Sequence, residues 1–233
     1  MKSAIDSIKY YILGAFVSAE IGIYIAFLVI QCTRGYDPVM LKYSGILLCL
    51  LLAIIFCPIS GKGGITLVCS FFFTALADLF IFVIDDYYEV GVTSFILAQI
   101  CYFVRIYTVL GKKPYISIAV RLGLSGIVML VLALTGSLDA LTALVAIYFP
   151  MLVINAVESA FLIKISKIYI LFFVGLLLFI GCDVCVGLNN FSMLGIELSR
   201  GALNFVGVAM WAFYLPSQVL IVTSAREVYT YEK

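Results

Sequence analysis

The chain has 233 residues, 65% of them hydrophobic and 12% charged, with a mean hydropathy of +1.22 and a net charge of +1. Water-soluble domains are apolar in roughly half of their residues and charged in about a quarter, so this composition excludes a soluble fold and demands a lipid environment. With so small a net charge and no long block of like charge, a nucleic-acid-binding surface is excluded as well.

A helix crosses a bilayer with about 20 predominantly apolar residues. Runs of that kind lie at approximately 11–31, 40–59, 64–84, 90–110, 116–135, 140–163, 168–188 and 202–224. They predict an all-α polytopic membrane protein, an eight-transmembrane-helix bundle that forms one integral membrane domain over residues 1–233. The first run follows Lys2 and Lys9, exceeds a signal-peptide core in length and shows no small-residue cleavage site, so it is read as a span and not as a processed leader. The connectors TRGYDP, SGKGG, DDYYE, GKKP, TGS, KISK and NNFSMLGIELSRG carry the expected helix breakers and leave no room for a soluble domain.

Eight spans bring both termini to one side. Eleven of the 14 Lys and Arg residues (Lys2, Lys9, Lys62, Lys112, Lys113, Lys164, Lys167, Arg226, Lys233, with Arg105 and Arg121 nearby) fall toward that side. Only Arg34, Lys42 and Arg200 fall toward the other, where the acidic DDYYE connector also lies. By the positive-inside rule both termini are then cytoplasmic, in a multi-pass protein of the plasma membrane if the cell is bacterial.

Seven cysteines, an odd number lying mostly inside apolar runs, predict no disulfide framework. Cys182 and Cys185 flank Asp183 at i, i+3, but the chain has no His, so a metal there would rest on thiols and carboxylates alone. No metal and no other cofactor is expected.

Two acids stand inside apolar runs: Asp78 in SFFFTALADLFIF (70–82) and Asp183 in LFFVGLLLFIGCDVCVGLNNF (171–191). A carboxylate at the centre of a bilayer costs about 2.5–3.5 kcal/mol even on a lenient insertion scale, which makes each a candidate for function. Spans three and seven run the same way, and the acids lie 14 and 15 residues from their starts. At about 1.5 Å per residue both stand roughly 21 Å in. Equal depth predicts a shared cavity.

Further polar residues follow helical stripes: Ser70, Thr74 and Asp78; Asp183, Gly187 and Asn190; Asn204, Trp211, Tyr214 and Gln218; Tyr148, Asn155 and Glu158; Glu20 and Tyr24. Hydroxyl and amide groups on such faces also serve simply to bond helices together. Glu158 and Arg105, both near the inner boundary, are expected to form an ion pair. Pro216 frees the carbonyl one turn back, which a neighbouring group must satisfy.

The order and spacing of several of these features resemble the YhhN family of integral membrane proteins, which includes the lysoplasmalogenases. The residues that carry the resemblance are ALADLF (75–80), GVTSFILAQICYFVRIY (91–107), Tyr148 in VAIYFPMLVINAVESA (145–160), GLLLFIGCD (175–183) with Asn190 and Phe191 after it, and YLPSQVLI (214–221). The resemblance covers roughly 40–221. It implies an eight-helix bundle and hydrolysis of the vinyl ether bond of lysoplasmalogens to a fatty aldehyde and a glycerophospho-base. Where the family commonly has His-x-x-Tyr in span four, this chain has Gln99 and Tyr102. A glutamine orients water or substrate by hydrogen bonding but moves no proton near neutral pH.

Two carboxyls in a low-dielectric cavity supply the acid, the base and the negative charge that vinyl ether hydrolysis requires. Asp78 and Asp183 are therefore the catalytic candidates. Gln99, Tyr102, Tyr214 and Gln218, with Tyr148 and Asn190, are candidates to orient water and substrate. The expected partners are a lysophospholipid substrate and membrane lipid, and the sequence specifies no oligomeric state. The DDYYE connector is a candidate site for a cationic head, and Arg34, Lys42 and Arg200 are the outer-side cations for its phosphate. Buried acids equally mark proton- or cation-coupled carriers, and the two Asp-bearing spans, one in each half, suggest a weak four-plus-four repeat. A non-catalytic lipid-binding relative is the third reading.

Overall fold

The computed structural model describes residues 2–56, 63–190 and 199–225. These form eight helices, each long and apolar enough to cross a membrane. They are α1 (Lys2–Arg34), α2 (Val39–Phe56), α3 (Gly64–Asp78, continued by a wider segment, Leu79–Ile84), α4 (Tyr88–Leu110), α5 (Tyr115–Leu134), α6 (Ala140–Leu162), α7 (Tyr169–Asn189) and α8 (Arg200–Thr223). Most of the connector between α7 and α8, together with Lys62, Arg226 and Lys233, lies outside the described residues. Exposed aliphatic side chains such as Ile116, Leu122 and Leu134 suit a surface that faces lipid.

Local chemistry sets the ends. Asp139 and Thr142 form a reciprocal capping box at the start of α6, each side chain accepting from the other's backbone N–H (2.7 and 2.8 Å). Gly111 closes α4 in the left-handed region at φ 64°, its N–H donating to the Tyr107 carbonyl. Pro216 leaves the Ala212 carbonyl without its helical partner, and the Tyr24 hydroxyl of α1 donates to that oxygen at 3.4 Å.

Six helices close a ring: α2 packs on α3, α3 on α4, α4 on α6, α6 on α7, α7 on α8, and α8 back on α2. Outside it, α1 covers the seam between α2 and α8, and α5 packs on α6. This order repeats. The relations of α1 to α2, α2 to α3 and α3 to α4 recur as α5 to α6, α6 to α7 and α7 to α8, and the halves join through α4–α6 and α8–α2. Asp78 on α3 and Asp183 on α7 thus occupy equivalent helices. The inside of the ring is filled by aromatic side chains that meet across it: Tyr102 with Phe172, Phe95 with Phe179, Phe179 with Tyr214, and Phe82 with Trp211.

Among the described glycines, the closest approach to another helix's backbone is at Gly175. A Cβ there would lie 2.9 Å from the Ser217 carbonyl oxygen and 2.7 Å from the Ile221 Cγ1, and 3.2 Å from the Ile221 nitrogen. Backbone atoms do not yield, so Gly175→Ala is expected to force α7 off α8 and cost about 1–3 kcal/mol, as overpacking does. Thermal unfolding in detergent measures it. Gly126→Ala on α5, where nothing lies within 4 Å of the added carbon, is the control and should leave the melting temperature unchanged.

Candidate active site

Asp78 ends the regular part of α3 and is completely buried. Immediately after it the helix widens to i→i+5 hydrogen bonding over Leu79–Ile84, a distortion that often accompanies functional sites because it turns side chains out of their regular register. The Tyr214 hydroxyl reaches across the ring from α8 and bonds both Asp78 oxygens, at 3.0 and 2.8 Å. The Tyr214 ring is held edge-on by Phe179 (5.3 Å) and Trp211 (5.5 Å).

Asp183 lies on the far side of the interior. Its Oδ2 is buried and has no protein partner. The Tyr148 hydroxyl of α6 stands within electrostatic reach of this carboxyl, though outside hydrogen-bonding geometry. Tyr148 packs on Phe95, and Phe95 on Phe179, so one aromatic pair lies between the two acid–tyrosine pairs. No direct bond joins Asp78 to Asp183. The Cys182 thiol is near enough to feel both.

The remaining candidates divide. Gln99 is fully buried, and its Oε1 accepts from Asn155 Nδ2 at 2.9 Å, which leaves its own amide donor without a protein partner. Tyr102 is buried near Ser70 and Thr74, its hydroxyl likewise without a hydrogen bond of normal geometry. Gln218 donates to the Ser217 hydroxyl at 3.1 Å and keeps a free Oε1. Asn190 is not brought to these groups. It is exposed at the end of α7, where its side chain bonds the Val186 carbonyl and its backbone caps the helix.

Two expectations are corrected. Glu158 pairs with Arg121, at 2.8 Å, and not with Arg105. Arg105 turns toward α8, donates to the Ser224 carbonyl and hydroxyl at 3.3 Å, and lies over the Phe172 ring. Lys42 is no surface cation for a phosphate: it is fully buried, bonded to Asp37 at 2.5 Å, and sits over the Trp211 ring at 4.7 Å. In the DDYYE connector Tyr88 and Asp85 bond each other at 2.6 Å.

Among the described residues, nine buried side-chain polar atoms lack a protein partner, and five of them belong to Asp183, Gln99, Tyr102, Tyr148 and Gln218. Buried polar atoms are normally satisfied, so their concentration on these residues makes the interior the candidate site. A model of the YhhN family matches residues 38–225, most of the chain. The chain belongs to the YhhN family. The YhhN match begins where α2 begins and leaves α1 outside, so it takes in the whole ring and every catalytic and orienting candidate. Neither a curated protein nor a solved structure matches the chain.

Proposed function

We propose that this YhhN protein is a lysoplasmalogenase-like membrane hydrolase that cleaves the vinyl ether bond of a lysoplasmalogen. What supports the reading is the pair of intramembrane carboxyls, each beside a tyrosine hydroxyl, in a bundle where several other buried polar atoms lack a protein partner.

We assign the roles from the contrast in hydrogen bonding. Tyr214 holds the Asp78 carboxyl in place by bonding both of its oxygens, whereas Asp183 presents a buried oxygen that no protein group occupies and that is free to meet substrate. Asp183 is accordingly the proton donor and Asp78 the carboxylate. Asp183 delivers a proton to the β-carbon of the vinyl ether, and the electron pair of the double bond forms the new C–H bond. The α-carbon and ether oxygen become an oxocarbenium ion, which the Asp78 charge stabilises. Water adds to the α-carbon and gives its proton to a carboxylate, and the hemiacetal then splits into aldehyde and alcohol. Paired carboxyls handle a similar cation in glycoside hydrolysis. We assign the free amide donor of Gln99 and the free Oε1 of Gln218 to orienting the water.

The test is fatty-aldehyde release by purified protein from lysoplasmenyl-ethanolamine and lysoplasmenyl-choline in detergent. Aldehyde is expected without any gradient. Silence in the parent with a gain in Gln99→His identifies a lapsed hydrolase. The repeated packing of the two halves, with an acid on each equivalent helix, favours a second reading as a coupled carrier. A carrier releases no aldehyde and instead moves solute in sealed vesicles under an imposed pH difference.

A further inference from the structure

We infer that the cleft between the ends of α4, α5 and α6 binds the phosphodiester headgroup of an anionic phospholipid. The fold creates this cleft. In the first half, α1 covers the seam between α2 and α8; in the second, α5 packs chiefly on α6 and stands off α4. The space left at the lysine-bearing end is about 620 Å³ and is lined by Lys112, Lys113 and Lys164.

Among the described residues no carboxylate forms an ion pair with any of the three. Glu158, which accepts from the hydroxyl of the wall residue Tyr107, is already paired with Arg121. Ser117, also in the wall, accepts from Arg121. The polar groups of the wall are thus consumed, and three ammonium groups remain to meet an anion. The other side of the cleft is apolar: Ile116 and Phe161 line it, yet are 82% and 54% exposed, opening toward the lipid face of α5. An anion flanked by acyl chains matches both walls. Basic pockets between membrane helices on the side richer in lysine recognise acidic headgroups in this way. A choline or ethanolamine head would bring its own cation against the lysines. Free phosphate shares the anion but gains nothing from the apolar wall.

The experiment titrates full-length, delipidated protein with phosphatidylglycerol, phosphatidylcholine or inorganic phosphate, reading retained lipid by native mass spectrometry and thermal stability in parallel. Phosphatidylglycerol is expected to bind about tenfold or more tightly than phosphatidylcholine. The Lys112→Gln/Lys113→Gln/Lys164→Gln variant should lose that preference, and Lys167→Gln, a lysine outside the cleft, should keep it. Salt checks the same point without a variant: at about 1 M, where the screening length falls to roughly 3 Å, the preference of the parent should collapse. Equal binding of the two lipids, or a preference that survives both the triple substitution and salt, overturns the proposal. Inorganic phosphate that protects as well as phosphatidylglycerol and displaces it shows a soluble-anion site and overturns the lipid assignment.

Discussion

Asp78→Asn and Asp183→Asn are each expected to lower aldehyde release by on the order of 10²- to 10⁴-fold, the range that positioned proton transfer contributes. Both substitutions keep the size of the side chain. At position 78 the amide oxygen still accepts from Tyr214, so the bond that spans the ring survives while the negative charge is lost. At position 183 the amide stands where a neutral carboxyl stood, in a site that offers Oδ2 no donor, and only the transferable proton is removed. Melting temperatures close to the parent's should therefore accompany the loss, which separates chemistry from folding. Tyr214→Phe removes the donor and leaves the carboxylate, so it should retain more activity than Asp78→Asn. Full activity in either Asn variant sinks the two-carboxyl mechanism.

The geometry behind this expectation was legible in the sequence in one dimension. Hydropathy and breakers locate some span ends: the run at 64–84 matches the observed helix and 90–110 starts two residues after its helix does, at Tyr88, whereas α1 starts nine residues before the run at 11–31. Counting residues along a helix yields depth. It says nothing about which way a side chain points around the helix axis or which helix lies beside which. Depth paired Glu158 with Arg105, whose helix α4 does pack on α6, but Arg105 is turned to Ser224 and the observed partner is Arg121 from α5. Lys42 reads as a surface cation by its place at a span end, yet it is fully buried, with its ammonium over the Trp211 and Phe27 rings. The widened turn after Asp78 has no signature in hydropathy, because it changes the hydrogen-bond register and not the apolar pattern. Asn190 shared a stripe with Asp183, but the helix ends beneath it and its amide serves the cap. The equivalence of the halves was faint in residue types and is plain in the packing order, where each half reproduces the neighbours of the other.

The same packing makes Arg121 the residue whose loss should harm stability most. Its guanidinium, 7% exposed, donates to Glu158 at 2.8 Å and to the Asn155 carbonyl oxygen at 2.7 Å. It also reaches the Ser117 hydroxyl. Asn155 in turn donates to the Gln99 side chain and backbone carbonyl, both at 2.9 Å, so one chain of bonds ties α5 to α6 and α4. Arg121→Met leaves Glu158 with Tyr107 as its remaining donor and Asn155 with an unmet acceptor. Removing one partner of a buried ion pair costs about 3–5 kcal/mol, most of it from the charge left behind. Replacing both partners with apolar side chains of similar volume is often close to neutral. Arg121→Met/Glu158→Met is therefore expected to be more stable than Arg121→Met alone, and the cycle built from the two singles and the double isolates their coupling. Denaturant or thermal unfolding in detergent reads all four proteins. A double variant no better than Arg121→Met would mean that Asn155 and Ser117, and not the charge of Glu158, are what Arg121 holds in place.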